Sequence, residues 1–279
     1  QLSMVFEDQG IGKTGQNLKF DLGVLARYGI KVKGKLFDTM LAHYLLQPDM
    51  RHNMDLLAET YLNYRPVSIE SLIGKKGKNQ KNMSELPLEV IAPYACEDAD
   101  ITLQLRHVFK KELEKNELLQ LFEHIETPLV PVLVDMEMEG VRIDKDALDT
   151  YAAVLEKEIA GIEQQIFEMA GSRFNIGSPK QLGEILFDKL QIAAKAKRTK
   201  TKQYSTSEDV LSKLSDKHPI VQKILDYRSL TKLKSTYVDA LPKLINEKTA
   251  RLHTSYNQAV AATGRLSSNN PNLQNIPIR

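Results

Sequence analysis

Two pairs of side chains stand out for what their types and spacing could do. Asn17-Leu-Lys-Phe-Asp21 sets an amide and a carboxylate four residues apart, and Tyr94-Ala-Cys-Glu-Asp98 repeats the spacing with a phenol and a carboxylate. On a helix, that spacing puts both members of a pair on one face. Carboxylate oxygens in such places suit hard divalent cations such as Mg²⁺ or Mn²⁺. Taken singly, each pair reads more simply as helix capping or solvated charge. Glu97 and Asp100 lie beside Asp98 but face elsewhere, which makes them structural or solvated. Cys96 reads as a small buried helix residue.

A third candidate lies at Thr263–Arg279, T-G-R-L-S-S-N-N-P-N-L-Q-N-I-P-I-R, a dense run of turn formers, amides and two arginines around a few apolar anchors. On its own it reads as a loop whose amides satisfy its own turns. Leu273, Ile276 and Ile278 have no evident core to enter, and the run does not look like a chain terminus.

The elements that must hold these residues are mostly helical. Asn17–Tyr28 is an apolar-periodic helix ending at Gly29, and further helical patterns cover Met54–Tyr64 and Leu88–Leu113. Lys35–Met40 reads as a short extended piece, and Gly74–Asn82 as a solvated basic loop. Residues 118–144 give another helix, with Leu121, Ile125, Leu129, Val132 and Met136 on its apolar side, stopped by Gly140. Val141-Arg-Ile-Asp144 reads as a short strand ending in an N-cap aspartate.

The clearest periodicity follows. Leu148, Ala152, Leu155, Ile159, Ile162, Ile166 and Met169 form a heptad seam, closed by Gly171. Ser178-Pro-Lys-Gln is a capping box, Ser205-Thr-Ser-Glu offers a similar start, and Pro219 opens a long helix. Lys195–Lys202 carries five positive charges and no acid, which predicts a mobile loop. Arg251–Gln258 alternates as a strand should and pairs with Gly264–Ser268 in an antiparallel ladder.

Composition narrows the function classes. Hydrophobic residues make up 42% and charged residues 27% of 279, an ordinary globular composition with room for two cores. No apolar run approaches the roughly 20 residues of a membrane span. A single cysteine excludes an internal disulfide and fits a reducing cytoplasm, and six scattered histidines give no zinc pattern. The net charge of +2 conceals a split: from Gln191 onward there are 16 Lys/Arg against 6 Asp/Glu, or +10, leaving 22 against 30, or −8, before it. The basic end is a candidate footprint for nucleic acid.

The run Thr263–Arg279 resembles the segment leading into the palm of family A DNA polymerases of bacteria, and the two carboxylate motifs resemble the second and third motifs of their 3′–5′ proofreading exonuclease. The likeness extends from Lys13 to Arg279. It implies a mainly α fold with an α/β part: an incomplete RNase H-like exonuclease domain over 1–117, a connecting helix and thumb over 118–249, and the first antiparallel palm strands over 250–279. It implies Asp21 and Asp98 as metal ligands and Tyr94 as the group that orients the attacking water. Hydrolysis by two cations about 4 Å apart needs several such carboxylates.

Arg265 would test pair geometry in the minor groove, where every base pair offers acceptors at similar positions. Asn272, Gln274 and Asn275 would be nearby polar contacts. Arg228, Lys232, Asn175 and Ser205 match thumb positions that contact DNA backbone. The implied partners are primer–template duplex and a single-stranded 3′ end, with deoxynucleoside triphosphates for the longer enzyme and no membrane. A monomer in the bacterial cytoplasm, associated with the nucleoid, is expected.

The sequence departs from the family pattern in one respect. The first exonuclease motif, an Asp-x-Glu on an early strand, is not found before Asn17, since Glu7-Asp8 lacks the spacing. The chain therefore reads as an internal slice without nuclease activity of its own, one that would not bind Mg²⁺ or Mn²⁺ tightly. Two alternatives are a non-catalytic duplex-binding module and a stand-alone exonuclease resembling RNase D, with its four acidic ligands. A third is a helical scaffold making protein contacts.

Overall fold

The computed structural model describes residues 2–193, 196–199 and 202–276. The chain divides into two compact units, one formed by Gln1–Gly140 with His253–Gln274, the other by Val141–Leu252 with the residues from Asn275.

The first unit begins with α1 (Leu2–Glu7), β1 (Lys13–Gly15), α2 (Leu18–Arg27) and β2 (Leu36–Asp38). β1 and β2 pair in parallel with Lys13 opposite Leu36, so α2 is the crossover that parallel pairing requires. There follow α3 (Thr39–Leu46), α4 (Met54–Leu62), α5 (Ile69–Ile73) and the 28-residue α6 (Leu88–Lys115). The three-residue α7 (Leu119–Leu121) runs through a π-helical turn, Phe122–Glu126, into α8 (Thr127–Glu139). Leu18, Leu22, Phe37, Leu41, Leu57, Ile101, Leu105, Phe109 and Phe122 make one buried core. The ladder expected near the end of the chain is present as β3 (Ser255–Asn257) and β4 (Ser267–Asn269), antiparallel with Tyr256 opposite Ser268.

The second unit is helical: α9 (Lys145–Ala170), α10 (Pro179–Gly183) continuing into a π-helical segment Glu184–Lys189, α11 (Glu208–Ser212) and α12 (Pro219–Leu233). Asp144 caps α9 as its position predicts, accepting from Ala147 N at 2.9 Å. The heptad seam faces inward: Leu155 and Ile166 are fully buried, and Leu148, Ala152, Ile159 and Ile162 pack against Leu230, Leu233 and Val238 or against Ile220 and Ile224.

Four expectations are corrected. On the 118–139 helix the buried side carries Phe122, Thr127, Val130, Leu133 and Val134, while Ile125, Val132 and Met136 are exposed at 58, 50 and 46%. The π-turn rotates the register, so a constant-period reading selects the wrong stripe. Cys96 is exposed, because α6 turns Ile101, Leu105, Phe109 and Leu113 to the core instead. Val141–Asp144 is no strand but a single bridge, Val141 to Leu252. The helix expected after Ser205 starts from Ser207, and Ser205 Oγ lies 3.4 Å from Ser207 Oγ.

Candidate functional site

The start of α2 is organised from a distance. Asn17 sits in the left-handed region at φ 63° and supplies no side-chain cap. The free N–H groups of Asn17 and Leu18 donate instead to the Asp38 carboxylate, at 3.0 and 2.7 Å. The same carboxylate accepts from Met40 N at 2.9 Å and Leu41 N at 3.4 Å, so one buried residue caps both α2 and α3. Burial pushes Asp38 up to about 6, against the downward pull of these four donors.

Asp21, in the first turn of α2, edges a cleft of about 380 Å³ lined by Phe6, Leu18, Leu22, Leu25 and Val32. Desolvation there raises its pKa, and a hydrogen bond from its own backbone opposes the rise. Lys19, two residues earlier, is held by Glu137 of α8. That Glu137 carboxylate also accepts from Tyr256 N at 2.7 Å and Ser255 Oγ at 3.3 Å.

On α6 the structure brings Tyr94 and Asp98 together. Burial, then the Asp98 charge and a hydrogen bond to it, push the Tyr94 hydroxyl up to about 12. The Asp98 pKa is raised by burial first; the Tyr94 bond lowers it, and the charges of Glu97 and Asp55 raise it. Asp98 Oδ1 is buried and has no hydrogen-bond partner among the described residues. An orphaned carboxylate oxygen is costly unless something else binds it. Glu97 accepts from Tyr64 Oη at 2.6 Å and Val67 N at 2.9 Å, and Asp100 from Gln104 Nε2 at 2.7 Å, so both are structural.

Asp55 was missed in the sequence. Its one local feature is a place in the first turn of α4, and only the fold carries its charge to Asp98. Asp21 is not drawn into this cluster: among the described residues no three His, Cys, Asp or Glu side chains could hold one metal ion.

The residues expected to touch DNA differ in how free they are. Arg265 is exposed and makes no hydrogen bond or ion pair among the described residues. Lys232 is exposed and lines a cleft on α12 with Arg228 and Ser229. The Arg228 guanidinium, by contrast, donates to the Thr206 carbonyl and, at 3.3 Å, to Thr206 Oγ1. Asn175 Oδ1 accepts from Gly177 N at 2.9 Å, and Asn272 Oδ1 from Gln274 N at 2.9 Å. Gln274 Nε2 donates to the Leu266 carbonyl, while Asn275 is engaged through its own carbonyl by Tyr237 Oη at 2.6 Å. Of the basic run 195–202, Lys195, Lys200 and Thr201 lie outside the described residues, as do Ile278 and Arg279 at the end of the chain.

Residues 145–279 match the family model for DNA polymerase family A, and residues 1–114 match that for 3′–5′ exonuclease. DNA polymerase I of Synechocystis sp. is 46% identical over 96% of this chain, and that of Pseudomonas aeruginosa 46% identical over 100%. The chain spans 27% and 31% of the length of those two relatives. A solved structure, the POL domain of Pol1 from M. smegmatis in complex with DNA primer-template and dNTP, superposes on 100% of this chain and 45% of its own. Its TM-score is 0.82 and its sequence 34% identical. Residues 145–279 thus belong to DNA polymerase family A, and a 3′–5′ exonuclease segment, residues 1–114, lies ahead of them.

Proposed function

We propose that the chain forms part of a template-directed DNA polymerase with 3′–5′ proofreading that acts in bacterial replication and repair. The observation that carries this reading is the likeness, along the whole chain, to a polymerase domain complexed with primer-template and dNTP. We assign 1–117 to the exonuclease, 118–249 to the connecting helix and thumb, and 250–279 to the start of the palm. The longer enzyme would bind deoxynucleoside triphosphates and work as a monomer in the cytoplasm, near the nucleoid. Among the described residues no helix is long and apolar enough to cross a membrane.

For proofreading, Asp21 and Asp98 would hold divalent cations, Mg²⁺ or Mn²⁺. The unpartnered Asp98 Oδ1 fits that role, and the donor set would be completed by carboxylates beyond these two. Bound cations supply charge neutralisation and an activated water at the scissile phosphate. Tyr94 would orient that water: its high pKa keeps the phenol protonated, so it donates to Asp98 and accepts from water. For synthesis, Arg265 would read pair shape in the minor groove beside β4, while Lys232 and the lysines of 195–202 hold the duplex backbone.

That no three metal-ligating side chains meet among the described residues supports a second reading of the 279 residues alone, as a duplex-binding module without nuclease activity. Binding is tested by titrating fluorescent duplexes of unrelated sequence with the chain at several salt concentrations. Each phosphate contact releases counterions, so with six contacts affinity falls roughly a thousandfold between 50 and 200 mM salt. Fewer contacts give a shallower slope, and similar Kd values are expected for all sequences. A salt-independent Kd would remove the DNA-binding assignment and favour a protein-binding scaffold.

A further inference from the structure

Tyr204 lies in the second unit at a junction that neither the exonuclease nor the minor-groove reading uses. Its hydroxyl donates to Asp188 Oδ1 at 2.5 Å. Its ring packs on Phe187 with centroids 5.0 Å apart, and the Arg198 guanidinium lies 4.1 Å from the ring centroid. The approach is close because Gly183 has no side chain: a Cβ there would stand 2.7 Å from Tyr204 Cβ.

Around this ring the described residues 197–199 and 202–205 pair with each other. Arg198 and Tyr204 form an antiparallel bridge. Thr199 N donates to Gln203 O and Ser205 N to Lys197 O, both at 2.8 Å. Arg198 Nη1 also donates to Lys202 O at 2.8 Å. Arg198 is thus occupied internally, whereas Lys197 and Lys202 remain exposed. A segment this rich in like charge resists ordering unless something anchors it. Ordering it only on binding would cost affinity, a cost that a preformed shape removes.

We propose that Tyr204 is a positioning residue, holding residues 197–199 and 202–205 in the arrangement that offers Lys197 and Lys202 to the phosphodiester backbone of duplex DNA. The inference rests on the duplex-binding reading above. It makes the segment's order, and not only its charge, a determinant of affinity.

A double-mutant cycle on the 279-residue chain, read as Kd for a fluorescent DNA duplex at low salt, tests it. Tyr204→Ala weakens binding by about tenfold. In a Lys197→Ala/Lys202→Ala background the same change costs less than about twofold, because Tyr204 acts through those lysines. Amide hydrogen exchange at Thr199 and Ser205 accelerates in Tyr204→Ala. Tyr204→Phe keeps the ring and loses the bond to Asp188; it gives roughly threefold and carries the same cycle should Tyr204→Ala not fold. Independent, multiplying losses in the cycle would overturn the proposal while leaving duplex binding intact, as would unchanged exchange at Thr199 and Ser205. Failure of the unsubstituted chain to bind duplex would overturn both this proposal and the reading beneath it.

Discussion

Arg265 differs from its neighbours in making no hydrogen bond or ion pair among the described residues. Asn272 and Gln274 are engaged in their own turn and Arg228 is tied to Thr206, so part of their hydrogen-bonding capacity is already committed. Among the described residues nothing occupies the five donors of this exposed guanidinium, two positions before β4. In a full-length polymerase carrying this segment, Arg265→Ala is expected to slow single-turnover nucleotide addition on the order of 100-fold, because it misplaces the reacting terminus. The primer–template Kd should move by less than about threefold, since many lysines share the backbone load. A lower affinity with an unchanged rate would make Arg265 one more phosphate contact. At this scale the sequence was partly legible. Tyr94 and Asp98 share one helical turn, and local spacing suffices to find them. Asp38 and Asp55 act on groups far along the chain, at Asn17, Leu18 and Asp98, and no local pattern announces such partners.

Among the elements, α2 and α3 depend on one carboxylate, and a second buried group, His43, opposes it in pH. His43 Nδ1 lies 2.7 Å from His52 Nδ1, and Nε2 is buried without a partner among the described residues. Burial, then the His52 charge, hold His43 down at about 4. A depressed base contributes stability above its unfolded pKa of 6.5 that is lost as pH falls toward 4. Asp38, raised to about 6 from 3.8, contributes in the opposite sense: stability is present at low pH and lost as pH rises through 6. Each effect is worth about 3 kcal/mol, so between pH 4 and 6 they largely cancel.

Single substitutions should therefore expose opposite slopes in urea denaturation. Relative to the unsubstituted chain, Asp38→Asn loses about 3 kcal/mol as pH falls from 6 to 4, and His43→Gln gains about as much. Parallel profiles for all three proteins would show that neither group titrates in this window. The long elements α6, α9 and α12 were legible because their periodicity is sustained. α3 was not: its eight residues follow β2 directly, and the helix starts on a cap shared with α2. On α8 the π-turn defeated a fixed period.

For the whole molecule, charge is split between an acidic first part and a basic last part: the +10 from Gln191 onward suits a phosphate backbone, whereas Asp21 and Asp98, the proposed cation ligands, lie in the other part. The fold class, the antiparallel pair near the chain end and the family follow from motifs in each part. How the parts assemble into compact units does not, because His253–Gln274 joins the first unit across more than a hundred residues. Within the first unit, α4 packs on α6 and brings the Asp55 charge to Asp98 beside Tyr94 and Glu97, but this closes no cage of three metal-ligating side chains among the described residues. The 279-residue chain with Mg²⁺ or Mn²⁺ should therefore release no nucleotides from a labelled single strand above a metal-free control. Such cations need several anionic ligands in a fixed geometry. Fusing to the chain the upstream exonuclease segment of a relative that carries an Asp-x-Glu should establish cleavage, and Asp98→Ala in the fusion should abolish it. Robust release by the 279 residues themselves, lost on Asp98→Ala, would mean that carboxylates assigned here to structural roles complete the cage. Asp55 and Glu97, whose charges already act on Asp98, would be the first to substitute.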